Sequence, residues 1–304
     1  MTRHEQADPV GLNWTEAEAR QAAQRMLNQV GLESAGLKLL RFGNNGVFRV
    51  RDRFIIRVAR PTTPAEVTKR EVKVAEALRS AGVPVVRLVD LPVEQPLVAA
   101  GCLGTVWDYV PGKQPTYRQF GALIRRFHHQ TDLLAIDLPE WRPLATARHR
   151  LAVLADQYPT EDIALLNDWY ERITVELDGL RSVLQHGVIH GQAEISNSLV
   201  HDGTAILLDL ERVCIGPREW DMIDTATSVL RFDRPPKNYQ DFAEAYGFDV
   251  MRWSGFGTLR RVWELRATTW FMQADAHSAV RSDEVRIRID TWRDDEPMTV
   301  WRGC

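Results

Sequence analysis

Two neighbouring stretches decide how this chain is read: HGQAEISNSLV, from His190 to Val200, and ILLDLERV, from Ile206 to Val213. Both carry apolar runs of strand character, and both are interrupted by polar residues. Asn197 and Asp209, twelve positions apart, stand at the edges of these runs. A hairpin would therefore bring an amide oxygen and a carboxylate together at its open end. Two hard oxygen donors suit Mg²⁺, which keeps several waters and takes the rest of its shell from substrate phosphates. Taken singly, Asn197 reads as a turn residue and Asp209 as a helix cap; it is their spacing that favours a metal pair.

Working outward, the pattern differs on the two sides. Toward the N-terminus, residues 1–13 read as a loose leader, and Thr15 caps a helix that runs to Gln29 with Gly31 as its stop. Strands are expected over 37–42, 47–50 and 53–59, the first two joined by the turn Gly43-Asn44-Asn45-Gly46. A helix follows from Pro64 to Ser80, ended by Gly82 and Pro84, and two more strands are expected near 85–89 and 103–109. Beyond residue 117 helical spacing dominates, over 117–130, 162–184 and 256–270, with a strand–loop–strand insert over 187–200 and 205–213. The Pro111-Gly112 pair is the expected boundary, giving a β-rich unit over 1–110 and a helical one over 111–304.

Composition narrows the function classes. A chain of 304 residues can bury roughly 75% of its unfolded surface, so a real core is available. The 38 Lys and Arg against 41 Asp and Glu leave a net charge of −3, which argues against a dedicated nucleic-acid or polybasic membrane binder. It leaves room for a phosphate held by a few amides and one cation. There is no apolar run of membrane-spanning length and no signal-peptide core near the start, so a cytoplasmic protein without membrane or nucleic-acid partners is expected. Cys102, Cys214 and Cys304 form no CxxC pair and read as reduced thiols, the first two in the core and the last exposed. Oligomeric state leaves no mark.

The pattern H-G-x-x-x-x-x-N, then a hydrophobic strand ending in Asp209, then GPREWD ending in Asp221, resembles the aminoglycoside phosphotransferase family over about 37–270. That resemblance implies an α+β, two-lobed, protein-kinase-like fold, with a small antiparallel sheet as N-lobe and a mainly helical C-lobe. It implies ATP or GTP with Mg²⁺ as cofactors, and a small hydroxylated molecule as acceptor. In the resemblance, backbone amides of Gly43, Asn44, Asn45 and Gly46 approach phosphate oxygens, although such a turn alone reads as an ordinary hairpin. Arg57, in RFIIRVA, matches the family's phosphate-holding cation, bringing a planar fork where Lys brings a point charge. Glu71 orients it, with Glu76 as the alternative, and the strand around Trp107 and Tyr109 meets the adenine. His190 heads the catalytic loop, Asp221 braces it, and His128 and His129 read as packing or capping residues.

One departure bears on activity. The resembling enzymes carry an Asp two residues after the His, where this chain has Gln192. A carboxamide can accept a hydrogen bond from a hydroxyl and cannot take its proton. Glu194 is the nearby carboxylate able to substitute, or else a solvated loop carboxylate or an extra charge beside the metal. A zinc reading of His186, His190 and Glu194 fails, because Gly187, Gly191 and Val188-Ile189 disfavour the helix it needs. Three functions therefore compete: an O-phosphotransferase, a degenerate nucleotide- or ligand-binding protein, and an enzyme of this fold with other chemistry. For a cationic acceptor the loose acidic candidates are Asp224, Glu264 and Asp275, and the aromatic residues over 253–270 read as a core helix face.

Overall fold

In the computed structural model the described residues are 14–43, 45–276, 283–295 and 299–302; the leader, Asn44 and Cys304 lie outside them. Thr15 caps α1 (Glu16–Gln29) through a reciprocal capping box with Glu18, and Gly31 at φ +71° lies just beyond its end. Five strands follow: β1 (Leu37–Phe42), β2 (Asn45–Val50), β3 (Phe54–Ala59) and, after α2 (Ala65–Ser80), β4 (Leu97–Ala99) and β5 (Cys102–Asp108). They form one antiparallel sheet in the order β1-β2-β3-β5-β4. Ala22, Met26 and Leu27 of α1 pack on Phe48, Ile56 and Val106 to make the N-lobe core, which also takes in Cys102.

The C-lobe comprises α3 (Tyr117–Gln130), α4 (Ala145–Val153), α5 (Thr160–Asp178), α6 (Trp220–Arg231), α7 (Pro236–Tyr246), α8 (Phe256–Ala276) and α9 (Asp283–Asp294). Between α5 and α6 run four short strands, β6 (His186–Ile189), β7 (Ser198–His201), β8 (Thr204–Leu207) and β9 (Cys214–Pro217), paired as β6–β9 and β7–β8. A second core joins these elements to the inner face of α2, through Val74, Ala75 and Leu78, so the two lobes share packing. Burial pushes the Cys214 thiol up to about 12, which suits a reduced core residue. Among the described residues no helix is long and apolar enough to cross a membrane.

The five-stranded antiparallel N-lobe and helical C-lobe are as expected, but one strand is not. Residues 85–89 form no strand: Val85 bridges to Leu207 in β8 and Leu88 bridges to Trp107 in β5. This segment divides its pairing between two lobes and acts as a connector, while the fifth strand is the three-residue β4, too short to show a period. The expected strand over 187–200 is also split, because Gly191 at φ +78° turns the chain out of β6 into a loop.

Candidate active site

A cleft of about 300 Å³ opens between the lobes. Its apolar wall includes Val47, Ile55, Val86, Leu199 and Leu208, and its polar end holds Arg57, Glu71, Asn197 and Asp209. Alternation along β3 puts Ile55 and Arg57 on the same face, opposite the face that packs on α1. Arg57 is buried and ion-paired with Glu71 of α2 and with Glu211, and its Nη1 lies 3.3 Å from Asp209 Oδ1. The Asn45 amide meets the same group, its oxygen accepting from Arg57 Nη2 at 2.7 Å. Arg41 of β1 approaches from the other side, its Nη2 3.5 Å from Asp209 Oδ2.

Three carboxylates thus face two guanidinium groups, leaving one negative charge in excess. Glu71, enclosed between α2 and the sheet, carries the consequence. Burial, together with Asp209 and Glu211, outweighs the pull of Arg57 and raises its carboxyl to about 8. Asp209 is held below the usual carboxylate range, because Arg57 and Arg41 overcome the cost of its burial. Its backbone is left-handed, at φ 57° and ψ 69°, a conformation Asp tolerates better than most residues.

The β7–β8 hairpin positions the oxygen donors. Leu208 N donates to Asn197 O at 2.9 Å, so Asn197 and Asp209 meet at its open end. The Asn197 amide nitrogen donates to Gln192 O at 3.1 Å, which leaves its carbonyl oxygen as the atom for a cation. Among the described residues no three His, Cys, Asp or Glu side chains are arranged to hold a metal by themselves. An amide oxygen and a carboxylate lining a cleft large enough for a ligand nonetheless fit a Mg²⁺ whose remaining ligands are water and phosphate.

The loop before the hairpin is pinned from beneath. His190 N and Gly191 N donate to the two oxygens of Asp221, at 2.6 and 2.9 Å, and Trp220 Nε1 donates to Gly191 O at 2.9 Å. His128 Nε2 donates to Asp221 at 3.0 Å, and His128 Nδ1 accepts from Tyr246 OH at 2.8 Å. This is the pattern of a neutral imidazole, and burial lowers the His128 pKa accordingly. A Cβ at position 191 would lie 2.3 Å from Arg212 O, so both its positive φ and this contact demand glycine. Asp221 is thus the brace that its sequence position suggests, and His128 supports it.

Beyond this loop lies a second, smaller pocket, of about 30 Å³, lined by Gln192, Glu194, Trp220, Asp224, Trp263 and Arg266 among others. Glu194 is buried, and its two oxygens accept from Gln192 Nε2 at 3.1 Å and from Ser196 Oγ at 3.2 Å. Ser196 itself lines the inter-lobe cleft, so Glu194 stands between the two pockets.

Several expectations need correction. His190 is fully buried, lines neither pocket and donates through Nε2 to Leu208 O at 3.0 Å; it pins the loop rather than meeting a substrate. Asn45 and Gly46 belong to β2, opposite Ala59 and Val58, and so are strand residues and not turn residues. A Cβ on Gly46 would lie 2.7 Å from Ala19 Cβ, so its small size serves the packing of α1. Trp107 and Tyr109 line the cleft, yet Asp108 N and Tyr109 N already donate to Arg87 O and Arg53 O, at 2.8 and 2.9 Å. Of the acidic candidates, Asp224 lines the second pocket, whereas Glu264 pairs with Arg231 and Asp275 accepts from Tyr158 OH. Glu211 and Arg41 were not expected. The former is signalled by its place two residues after Asp209; the latter depends on an irregularity in β1 that no local pattern shows.

Comparison with known proteins agrees with this architecture. No curated protein sequence matches the chain. Among solved structures, the amicoumacin kinase hAmiN, in complex with AMP-PNP, Ca²⁺ and Ami, superposes with a TM-score of 0.75 at 16% identity, covering 95% of this chain and 98% of that one. A choline/ethanolamine kinase family protein from Mesorhizobium loti gives 0.62 at 18% identity, covering 91% and 93%. A ternary complex of streptomycin, ATP and the phosphotransferase APH(2")-IIa gives 0.59 at 14% identity, covering 96% and 100%. At such identities these likenesses speak for the fold. The sequence model of the phosphotransferase enzyme family, however, matches residues 37–256, which span β1 to the start of α8 and hold the whole inter-lobe cleft and the Gln192–Glu194 side of the second pocket. The chain belongs to that family.

Proposed function

We propose that this chain transfers the terminal phosphoryl group of ATP or GTP to a hydroxyl of a small acceptor, in the cytoplasm and without nucleic-acid or membrane partners. One observation carries the reading: Arg57, braced by Glu71, meets Asp209 at the end of a cleft beside Asn197, and Glu194 links that end to a second pocket. In this reading residues 1–110 bind the nucleotide and residues 111–304 supply the metal ligands and the acceptor site. The apolar wall takes the nucleobase, and the Arg57 fork takes phosphate oxygens. Asn197 and Asp209 hold Mg²⁺, which when bound neutralises charge developing on the transferred group.

Gln192 and Glu194 divide what one Asp would do. Donation to Glu194 orients the Gln192 carboxamide, whose oxygen can accept from the acceptor hydroxyl and position it. Proton removal falls to Glu194, the carboxylate in the same pocket. The kinase solved with Ami and the phosphotransferase solved with streptomycin direct the search toward hydroxylated antibiotics, and Asp224 suits an acceptor bearing an amine. Gln192 also favours a second reading, a degenerate nucleotide-binding protein.

Transfer of labelled terminal phosphate to an acceptor panel separates the two. Wild type is expected to be active and Glu194→Gln inactive. Gln192→Asp should raise transfer by less than the 10²–10⁴-fold range of a general base, because Glu194 already supplies one. If wild type and Gln192→Asp are both inert while nucleotide still binds, the degenerate reading replaces this one.

A further inference from the structure

β1 carries one residue too many for its partner. Leu39 faces Phe48 and Arg41 faces Val47, so Leu40 is the extra residue of a bulge. The consequence is a change of face. Leu37 and Leu39 pack on the α1 core, and strict alternation would send Arg41 there as well. The bulge turns it over instead, placing it opposite Val47, whose side chain lines the inter-lobe cleft together with Leu40 and Arg41. A guanidinium has thereby been moved out of an apolar core and into the polar end of the cleft.

At that end Arg41 and Arg57 occupy the two oxygens of one carboxylate, Arg41 Nη2 3.5 Å from Asp209 Oδ2 and Arg57 Nη1 3.3 Å from Asp209 Oδ1. The two cations are held differently. Arg57 is buried and anchored by Glu71 and Glu211, whereas the Arg41 side chain is 40% exposed. A divalent ion seeking Asp209 in the absence of nucleotide meets two positive charges already there. A triphosphate entering the cleft brings the oxygens that a guanidinium binds best, through two parallel N–H donors.

We propose that Arg41 is a phosphate-binding residue that exchanges Asp209 for the phosphates of an incoming nucleoside triphosphate, so that the carboxylate becomes available to the metal only when the nucleotide is present. This rests on the nucleotide-binding reading above and adds to it a residue and an order: nucleotide and metal bind with positive cooperativity, and Arg41 is the group through which they communicate.

Calorimetry on the full chain tests it with wild type and Arg41→Leu, a substitution at a half-exposed position. The titrants are ATP and GTP, adenosine and guanosine, and Mn²⁺ alone, the nucleotides and nucleosides in metal-free buffer. Arg41→Leu should weaken triphosphate binding about tenfold, the order of one charge-assisted hydrogen bond, and leave nucleoside binding unchanged. The same variant should bind Mn²⁺ alone severalfold more tightly, because one competitor for Asp209 is gone. These two shifts have opposite signs, which a general loss of structure would not produce. The proposal is overturned if triphosphate affinity survives the substitution, if nucleoside affinity falls equally, or if Mn²⁺ affinity does not rise. Should wild type bind no triphosphate at all, the phosphotransferase reading falls first; wild type binding triphosphate as tightly as Arg41→Leu removes the exchange alone.

Discussion

At the scale of single residues, the site is a problem in charge placement. Glu71, Asp209 and Glu211 share Arg57, with Arg41 alongside, and Glu71 answers the surplus by holding its proton up to about pH 8. A carboxyl whose folded pKa is raised contributes stability that is complete below the unfolded value, near 4.5, and is lost as pH rises through about 8. Over that window the folded chain binds the proton that the unfolded chain has lost, so wild-type stability should fall with pH on this account. Glu71→Gln mimics the protonated form and lacks this slope. The difference in melting temperature, variant minus wild type, should therefore grow from pH 5 to pH 8; a difference that shrinks would mean that Arg57 keeps Glu71 ionised. Arg57 and Glu71 were legible as a strand cation and a helix carboxylate through the family resemblance, and Asn197 and Asp209 through their spacing at the edges of two apolar runs. Arg41 was not, because its face is set by a bulge, and Glu211 was not, because the left-handed turn at Asp209 redirects the chain just before it.

At the scale of elements, the decisive unit is the loop between β6 and β7. Its backbone hangs on Asp221, at the start of α6, and through it on His128 of α3 and Tyr246 of α7. The sequence signalled this bracing through GPREWD, and it placed His190 at the head of the catalytic loop without showing that its ring is buried behind that loop. Gly191→Ala tests how tightly the loop is held. Left-handed strain alone costs about 1–3 kcal/mol, and the added methyl must also displace the Arg212 carbonyl. Denaturant unfolding should show a loss of at least that size, accompanied by loss of transfer. A loss below about 0.5 kcal/mol would show that the loop relaxes freely and that its bracing is not what positions Gln192 and Glu194. The connector over 85–89 carries the complementary lesson: its apolar run promised a strand, but pairing split between Leu207 and Trp107 is a tertiary outcome that no local pattern encodes.

At the scale of the whole molecule, an antiparallel sheet lobe and a helical lobe enclose a cleft, and that fold class was plain in the sequence because strand-like spacing gives way to helical spacing along the chain. The outer edge of the second pocket was not plain, since Trp263 and Arg266 come from α8, whose aromatic residues read simply as core. The central claim is that the cleft takes a nucleoside triphosphate together with a divalent cation, and ligand-induced stabilisation of the intact chain tests it most directly. Binding to the folded state alone stabilises by about 2.7 kcal/mol at a hundredfold excess over Kd, a rise of several degrees in Tm. The measurement is the Tm of wild type and Asp209→Asn with ATP or GTP, with and without Mg²⁺. The account predicts that wild type gains most with nucleotide and Mg²⁺ together, more than the sum of either alone, and that Asp209→Asn loses the Mg²⁺-dependent part. A wild-type Tm that neither nucleotide moves at millimolar concentration, or that moves equally with and without Mg²⁺, would contradict it.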